Sequence, residues 1–139
     1  MNQLKKKFSI GVFAFNASSG VTLTKQNDRW NPNFHQIKKL ALICDKNKFD
    51  FLLPIARWND WSGDTNPHRN TYETIGLMSS LASITKHIKI YSTIHLPFTN
   101  PIFAARASVT MNHISNGRFG VNLVCGWNKA EFEMFNVST

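Results

Sequence analysis

The feature that most constrains this chain is a unit that recurs four times, a short apolar stretch followed by a polar loop and an amphipathic segment. The apolar stretches begin near residues 8, 49, 88 and 119, which separates successive units by 41, 39 and 31 residues. Short apolar runs that alternate with helical segments are typical of parallel strands covered on both faces. Four such βα units with right-handed crossovers predict an α/β fold built on a parallel sheet.

Capping residues mark where the helices begin. The first helical pattern follows Asn31-Pro32-Asn33 and the third follows Asn100, and asparagine is a favoured N-cap. Proline follows Asn100 directly, at the first helical position, where its missing N–H is not needed. Pro54 lacks an N–H to donate to a ladder, so we expect the second strand to end there. Two further pairs have the three-residue spacing of a capping box: Asn70 with Glu73, and Asn128 with Glu131.

Apolar residues at helical spacing predict the buried face of each helix. The first helix has its stripe at Phe34, Ile37, Leu40 or Ala41, and Cys44. Its polar face is predicted to hold Lys38, Lys39, Asp45, Lys46 and Lys48. The third helix has its period at Ile102, Ala105, Val109 and Asn112.

The chain is basic, with 16 Lys and Arg residues against 8 Asp and Glu residues and a formal charge of +8. Such a balance raises the possibility of an anionic partner, including nucleic acid. Lys5, Lys6 and Lys7 form the one run of three, and no zinc-finger, RRM or basic heptad pattern accompanies it. A solvated basic surface is therefore the preferred interpretation, with no nucleic-acid partner.

Cysteine usage and hydropathy favour a cytoplasmic protein. Cys44 and Cys125 have no Cys or His neighbour at metal-ligand spacing, so no metal site is expected, and they make no disulfide framework. No run of about 18 apolar residues could span a membrane. The segment from Lys5 to Ser19 imitates a secretory signal, but a buried first strand after a charged tail fits the repeating pattern better.

The carboxyl ends of the predicted strands carry side chains suited to a flat ligand, and ligands bind at that edge of parallel α/β sheets. They are Arg57, Trp58, Trp61, His95, Asn122, Cys125 and Trp127. Structural alternatives stay open: the tryptophans could pack a loop, His95 could be a hydrogen-bonded structural residue, and Cys125 a small buried one. Asn122 interrupts an apolar strand, where an amide needs a partner that a ligand inside a barrel would supply.

The block Ser115-Asn116-Gly117-Arg118-Phe119-Gly120-Val121-Asn122-Leu123-Val124-Cys125-Gly126-Trp127 resembles the flavin-dependent luciferase-like monooxygenases. The resemblance is strongest to the branch with the alkanesulfonate, dimethyl sulfone and pyrimidine monooxygenases. It continues through residues 128–135 and is supported by Ile10–Phe13 and by Phe49-Asp50-Phe51. It covers residues 8 to 135.

This resemblance implies a (β/α)8 TIM barrel that binds reduced FMN at its carboxyl face, receives it from a flavin reductase and oxygenates a small organic substrate. The positions that match flavin contacts in the pyrimidine branch are Ala56, Arg57, Asn122 and Glu131. Glu131, a helix cap when judged by spacing alone, thereby becomes a candidate cofactor ligand. The resemblance assigns no catalytic residue here, and it implies a homo-oligomer for the full-length protein.

The length limits this expectation, because a closed eight-unit barrel needs about 250 residues and the chain has 139. We therefore expect one incomplete domain over residues 1–139, the first half of such a barrel, inactive by itself. One alternative is a non-catalytic flavin- or ligand-binding half-barrel that associates with another chain. The other is a basic nucleic-acid-binding domain. No glycine-rich phosphate motif is present.

Overall fold

The computed structural model describes residues 8–138, in which four parallel strands alternate with helices. The elements are β1 (Gly11–Phe13), α1 (Phe34–Lys46), β2 (Phe51–Leu53), α2 (Thr74–Ile84), β3 (Lys89–His95), a 3-10 helix (Leu96–Phe98), α3 (Pro101–Ile114), β4 (Phe119–Val124) and α4 (Lys129–Met134). The strand order is β1-β2-β3-β4, all parallel. The predicted α/β class and sheet are confirmed, whereas the Lys5–Lys7 run lies outside the described residues.

The first two strands are shorter than the apolar runs that encode them. At Ala14 the backbone turns to a positive φ of 56° and leaves the strand. Asn16 then enters the interior, where its side-chain amide donates to the carbonyls of Ile55 and Tyr72 and its oxygen accepts from the Ile55 N–H. This buried amide is fully paired, so it fixes the segment after β1 against the segment after β2. β2 ends before Pro54, as expected.

Successive strand residues point alternately to the side of the sheet that the helices cover and to the opposite side, here called the inner wall. Leu52 and Ile90 are fully buried in the core between sheet and helices. On the inner wall, the rings of Phe51 and Tyr91 meet edge to face with centroids 6.1 Å apart. Glycine is required beside each ring: a Cβ at Gly11 would lie 2.4 Å from Phe51, and one at Gly120 would lie 2.6 Å from Tyr91.

The structure confirms the helix start expected at Asn31-Pro32-Asn33 and the cap expected at Asn100. Asn33 caps α1 in a capping box with Gln36, and Asn100 caps α3 ahead of Pro101. The box predicted at Asn70 is wrong, because Glu73 itself is the N-cap of α2 and its carboxylate accepts from two amides of the first turn.

The capping box predicted at the start of α4 is only half formed. The side chain of Asn128 accepts from the Ala130 N–H, as a cap should. The Glu131 carboxylate does not return to the cap backbone, because it is drawn to amides of the segment after β2.

The apolar stripe predicted for α3 is also wrong. Ile102 is 75% exposed and Val109 53% exposed, whereas Met111 and Ser115 are buried. α3 packs on α2 and β4 through the face that holds Met111, which contacts the buried Ser92 of β3. A sequence can therefore predict a helix correctly and still predict the wrong buried face. Which face is buried depends on the elements that pack against the helix.

Asp45 is buried, contrary to its predicted place on the polar face of α1. Its carboxylate accepts from the N–H groups of Lys86, His87 and Ile88, at 3.0, 2.7 and 2.8 Å. Burial raises the pKa of Asp45, but these three donors outweigh it, so the pKa lies below its ordinary value. One carboxylate thus holds the connection from α2 into β3.

Arg118, the residue before β4, also binds the connection between α2 and β3. Its guanidinium donates to the carbonyls of Ala82, Thr85 and Ile88, which satisfies the last turn of α2. Burial lowers the pKa of Arg118, and the charge of Asp45 opposes that change.

The charges are divided unequally between the two ends of the sheet. The connections at the carboxyl ends, with α4, hold five cations and six carboxylates: Lys25, Arg29, Arg57, Arg69, Lys129, Asp28, Asp60, Asp64, Glu73, Glu131 and Glu133. The amino-end connections and the residues that adjoin them hold five cations and two carboxylates: Lys46, Lys48, Lys86, Lys89, Arg118, Asp45 and Asp50. Among the connections the positive excess therefore lies at the amino ends, while Lys38, Lys39 and Arg106 within α1 and α3 add three more cations. None of the described helices has the length and apolar character needed to traverse a bilayer.

We expect Asp45→Asn to lower the free energy of unfolding by about 1–3 kcal/mol, because the amide replaces a charged acceptor of three backbone N–H groups. The stabilisation should be present above the unfolded pKa of about 4 and be lost as pH falls through the lower folded value. Urea unfolding of the two proteins at several pH values measures both effects. Asp28→Asn, at an exposed loop position, is the control, and an equal loss in both variants contradicts the assignment.

Candidate functional site

Side chains from three segments meet beyond the carboxyl ends of β2, β3 and β4. Arg57 and Trp58 follow β2, His95 ends β3, and Glu131 lies in α4. The carboxyl-end rule predicted that the first three would converge. The structure brings Glu131 into the same group.

Glu131 is the centre of this group, with a side chain that is fully buried. Its Oε1 accepts from the Trp58 N–H at 2.8 Å and from the Asn59 N–H at 3.4 Å. Its Oε2 lies 3.6 Å from Arg57 Nη1 and 4.0 Å from His95 Nε2, and has no hydrogen-bond partner within residues 8–138. A buried carboxylate oxygen without a donor is a strong acceptor for a ligand N–H.

Arg57 is held among aromatic rings. Its side chain is 12% exposed, and its Cζ lies 4.7 Å from the ring centroid of Trp127 and 5.8 Å from that of Trp61. The two indoles contact each other edge to face at 5.5 Å. Cation–π contact with the two indoles fixes the plane of the guanidinium. The Nε atom of Arg57 has no hydrogen-bond partner in the described part of the chain.

His95 is buried at the end of β3, beside Phe98. Its Nδ1 accepts a hydrogen bond from the indole N–H of Trp58, at 3.3 Å. Burial lowers the pKa of His95, Arg57 lowers it further, and the charge of Glu131 only partly opposes them. The imidazole is therefore neutral at neutral pH, with its proton on Nε2, the nitrogen that faces Glu131.

A cleft of about 570 Å³ adjoins this group. It lies between the segment that leads into α2 and the segment that leads into α3, and its walls are mostly apolar. The lining residues are Ala56, Arg57, Trp58, Thr71, Tyr72, Glu73, Thr74, Ile75, Thr93, Ile94, His95, Phe98, Thr99, Asn100, Phe103 and Phe135. Its volume is that of a pocket for a small organic molecule.

Asn122 stands apart from the carboxylate group. It is level with Thr93 in the sheet register, and its side-chain amide donates to the Thr93 hydroxyl at 3.2 Å. Among residues 8–138 no hydrogen bond or ion pair joins it to Arg57 or Glu131. Ala56 lines the cleft, and Cys125 is exposed, so its expected burial is wrong.

Sequence reasoning missed the aromatic contacts that close the group on one side. Phe98 stacks on Phe135 with centroids 4.6 Å apart and meets Phe132 edge to face at 4.8 Å. Trp58 also contacts Phe135, at 5.0 Å. The spacing of Phe132 and Phe135, one helical turn apart, is a signal that could have indicated a common aromatic face.

The described residues provide no metal site, because no three His, Cys, Asp or Glu side chains among them cluster suitably. The side chains of the site offer hydrogen bonding, one buried ion pair, aromatic contact and the imidazole of His95.

Comparisons with known proteins agree on one family. Residues 8–139 match the family model described as luciferase-like monooxygenase. The chain is 34% identical over 128 residues to the pyrimidine monooxygenase RutA of Rhizobium rhizogenes, covering 92% of this chain and 35% of that protein. It thus spans about a third of the length of the curated relatives it matches.

Two solved structures show the fold. One is the EDTA monooxygenase EmoA from Chelativorans sp. BNC1, with a TM-score of 0.81, 19% identity, and coverage of 96% of this chain and 33% of that one. The other is the oxygenating constituent of 3,6-diketocamphane monooxygenase from Pseudomonas putida in complex with FMN, with a TM-score of 0.67, 18% identity, and coverage of 93% and 33%. The four parallel βα units match the first half of a luciferase-like TIM barrel.

We expect Glu131→Leu to release the segment after β2, because the Trp58 and Asn59 amides lose their acceptor. Losing bonds to a buried charge costs about 1–3 kcal/mol, so protection of these two amides should fall at least about fivefold. Native-state hydrogen exchange followed by NMR measures the change. Glu133→Leu, two residues along at an exposed position that pairs with Lys129, is the control. Unchanged protection in Glu131→Leu contradicts the role given to the carboxylate.

Proposed function

The chain belongs to the luciferase-like monooxygenase family, and we propose that it supplies the first four βα units of a flavin-dependent monooxygenase. In this proposal the whole protein uses reduced FMN from a flavin reductase, together with oxygen, to oxygenate a small organic substrate. Its curated relatives are named monooxygenases, and one neighbouring structure holds FMN.

The observation that carries the proposal is a pair of unsatisfied polar atoms. Arg57 Nε is a donor and Glu131 Oε2 an acceptor, and both are buried without a hydrogen-bond partner in the described chain. The isoalloxazine ring of a flavin presents N–H and carbonyl groups side by side along one edge. A donor and an acceptor held close together are the groups that such an edge requires.

The residues present therefore fit a flavin. Arg57 would donate to a ring carbonyl, Glu131 would accept from a ring N–H, and Ala56 would lie beside the ring. Asn122, on the inner wall, would contribute its side-chain amide. The bound flavin, when reduced, would supply the activation of oxygen.

The rings around the site would restrict water. The indole faces of Trp61 and Trp127 hold the guanidinium of Arg57, and the stacked Phe98 and Phe135 line the cleft. Exclusion of water strengthens the hydrogen bonds to the ligand and protects reactive species.

The cleft also bears on the substrate. Apart from Arg57 and the capping carboxylate of Glu73, its lining carries no charged side chain, which favours an uncharged organic molecule. A pyrimidine is the first compound to test, because the curated relatives are pyrimidine monooxygenases.

We expect the chain to bind FMN. We expect Arg57→Lys to weaken this binding at least about tenfold, because lysine keeps the charge but lacks the Nε–H and the planar guanidinium that packs on the indoles. Quenching of flavin fluorescence during titration measures both affinities. Arg69→Lys, at an exposed position after the same strand, is the matched control. Absence of FMN binding, or equal affinity in the three proteins, contradicts the proposal.

Oxygenation needs a complete barrel, so the test joins this chain to the remaining units of the Rhizobium rhizogenes enzyme. The chimera receives FMN, NADH, a flavin reductase and uracil under labelled oxygen. Incorporation of one labelled atom into the product supports the proposal. A folded, flavin-loaded chimera that consumes no uracil contradicts the choice of substrate.

A second candidate function is a non-catalytic half-barrel that associates with another chain. The exposed apolar side chains of α3, of β4 and of the segment after β4 favour it, including Ile102, Leu123 and Trp127. We then expect the 139-residue protein to be dimeric in light scattering after gel filtration, and Leu123→Lys to dissociate it. A monomer at all concentrations contradicts this candidate.

A further inference from the structure

His95 contacts almost every segment that builds the site. The Trp58 indole comes from the segment after β2, Phe98 lies in the following 3-10 helix, and Glu131 comes from α4. Gly126, after β4, approaches so closely that a Cβ there would lie 3.3 Å from His95 Cδ2. The imidazole is thus enclosed and has little freedom to turn.

The hydrogen bond from Trp58 sets the state of the ring. An indole nitrogen can only donate, so His95 Nδ1 must accept and must carry no proton. The ring proton then belongs on Nε2, which faces the unpaired Oε2 of Glu131 at 4.0 Å. This one tautomer is compatible with the neighbours on both sides of the ring.

A second proton on the ring would undo this arrangement. With a proton on Nδ1, two donors would face each other across the 3.3 Å between His95 and Trp58. Two charged groups face the ring: Glu131, which attracts the extra charge, and Arg57, which repels it. The Trp58 backbone N–H is itself bonded to Glu131, and Arg57 is the preceding residue, so the indole and the guanidinium stand on one short segment.

We propose that His95 is a positioning residue whose neutral ring latches the Arg57–Trp58 segment in its ligand-binding position, and that adding a proton to the ring opens this latch. The latch acts through Trp58 rather than by contact with the ligand. Ligand affinity at the site accordingly falls in acid. The ligand part of the proposal rests on the proposed function, whereas the latch itself does not.

The first test requires no flavin. NMR of ¹⁵N-labelled protein should show the Nε2–H tautomer of His95 at about pH 7.5. On acidification the ring should take up its proton below pH ~6.5, and the Trp58 indole resonance should shift in the same titration. The Nδ1–H tautomer, or an indole signal that does not follow the imidazole, overturns the latch.

Substitutions separate positioning from simple packing. His95→Gln offers an acceptor to Trp58 and a donor to Glu131 but does not titrate, so the pH dependence should vanish while the segment stays ordered. Trp58→Phe keeps a ring against Phe135 but removes the donor, so the imidazole should become a mixture of tautomers. His35→Gln, on the exposed face of α1, is the control and should behave as the unsubstituted chain.

The second test measures FMN affinity against pH. Loss of one such hydrogen bond changes an equilibrium by about fivefold, so affinity should fall by about that factor between neutral and acidic pH. In His95→Gln it should change less than about twofold. If FMN affinity depends on pH equally in the unsubstituted chain and in His95→Gln, the proposal that the latch controls ligand affinity is overturned. A chain that shows the tautomer and the indole shift but binds no FMN refutes the proposed function and leaves the latch standing.

Discussion

The buried carboxylate of Glu131 is the interaction on which the carboxyl-end arrangement depends. A charge without solvent is stable only where donors surround it, and here the donors are backbone amides of a segment more than seventy residues earlier. α4 has six residues, too few to be a stable helix without tertiary contacts. The carboxylate therefore locates the helix and shapes the segment after β2 at the same time.

Asp45 performs a comparable task at the opposite end of the sheet. It, too, lies on a helix, and it binds three consecutive amides of the connection into β3. In both cases a carboxylate satisfies loop N–H groups that the parallel ladder leaves unpaired. The strands between these two carboxylates are only three to seven residues long, so much of the order in the connections comes from side chains.

The sequence was sufficient for features that depend on local chemistry. Patterning predicted the parallel direction of the strands. Residues with one local role predicted the end of β2 before Pro54, the start of α1 after Asn31-Pro32-Asn33 and the cap at Asn100. Arg57 and His95 were expected to lie close together because both follow or end strands at the same edge of a parallel sheet. Glu131 was expected to contact a cofactor only because of the family resemblance.

The errors have one physical origin, which is that contacts with other segments decide the outcome. Asp45 has the spacing of a surface residue until the amides of the next connection are brought beside it. Glu73 is the cap rather than Asn70 because the backbone of Asn70 and Tyr72 pairs with the segment after β1, so the helix begins only at Thr74. The bond between Trp58 and His95 joins residues 37 apart, and no sequence periodicity encodes it.

The unequal division of charge between the two ends of the sheet has a consequence for how ligands arrive. The connections alone carry more positive charge at the amino ends than beside the site. Their field does not favour an anion at the carboxyl ends, and it is screened within about 8 Å at physiological ionic strength. Recognition of a ligand there therefore depends on short-range contacts rather than on attraction from a distance.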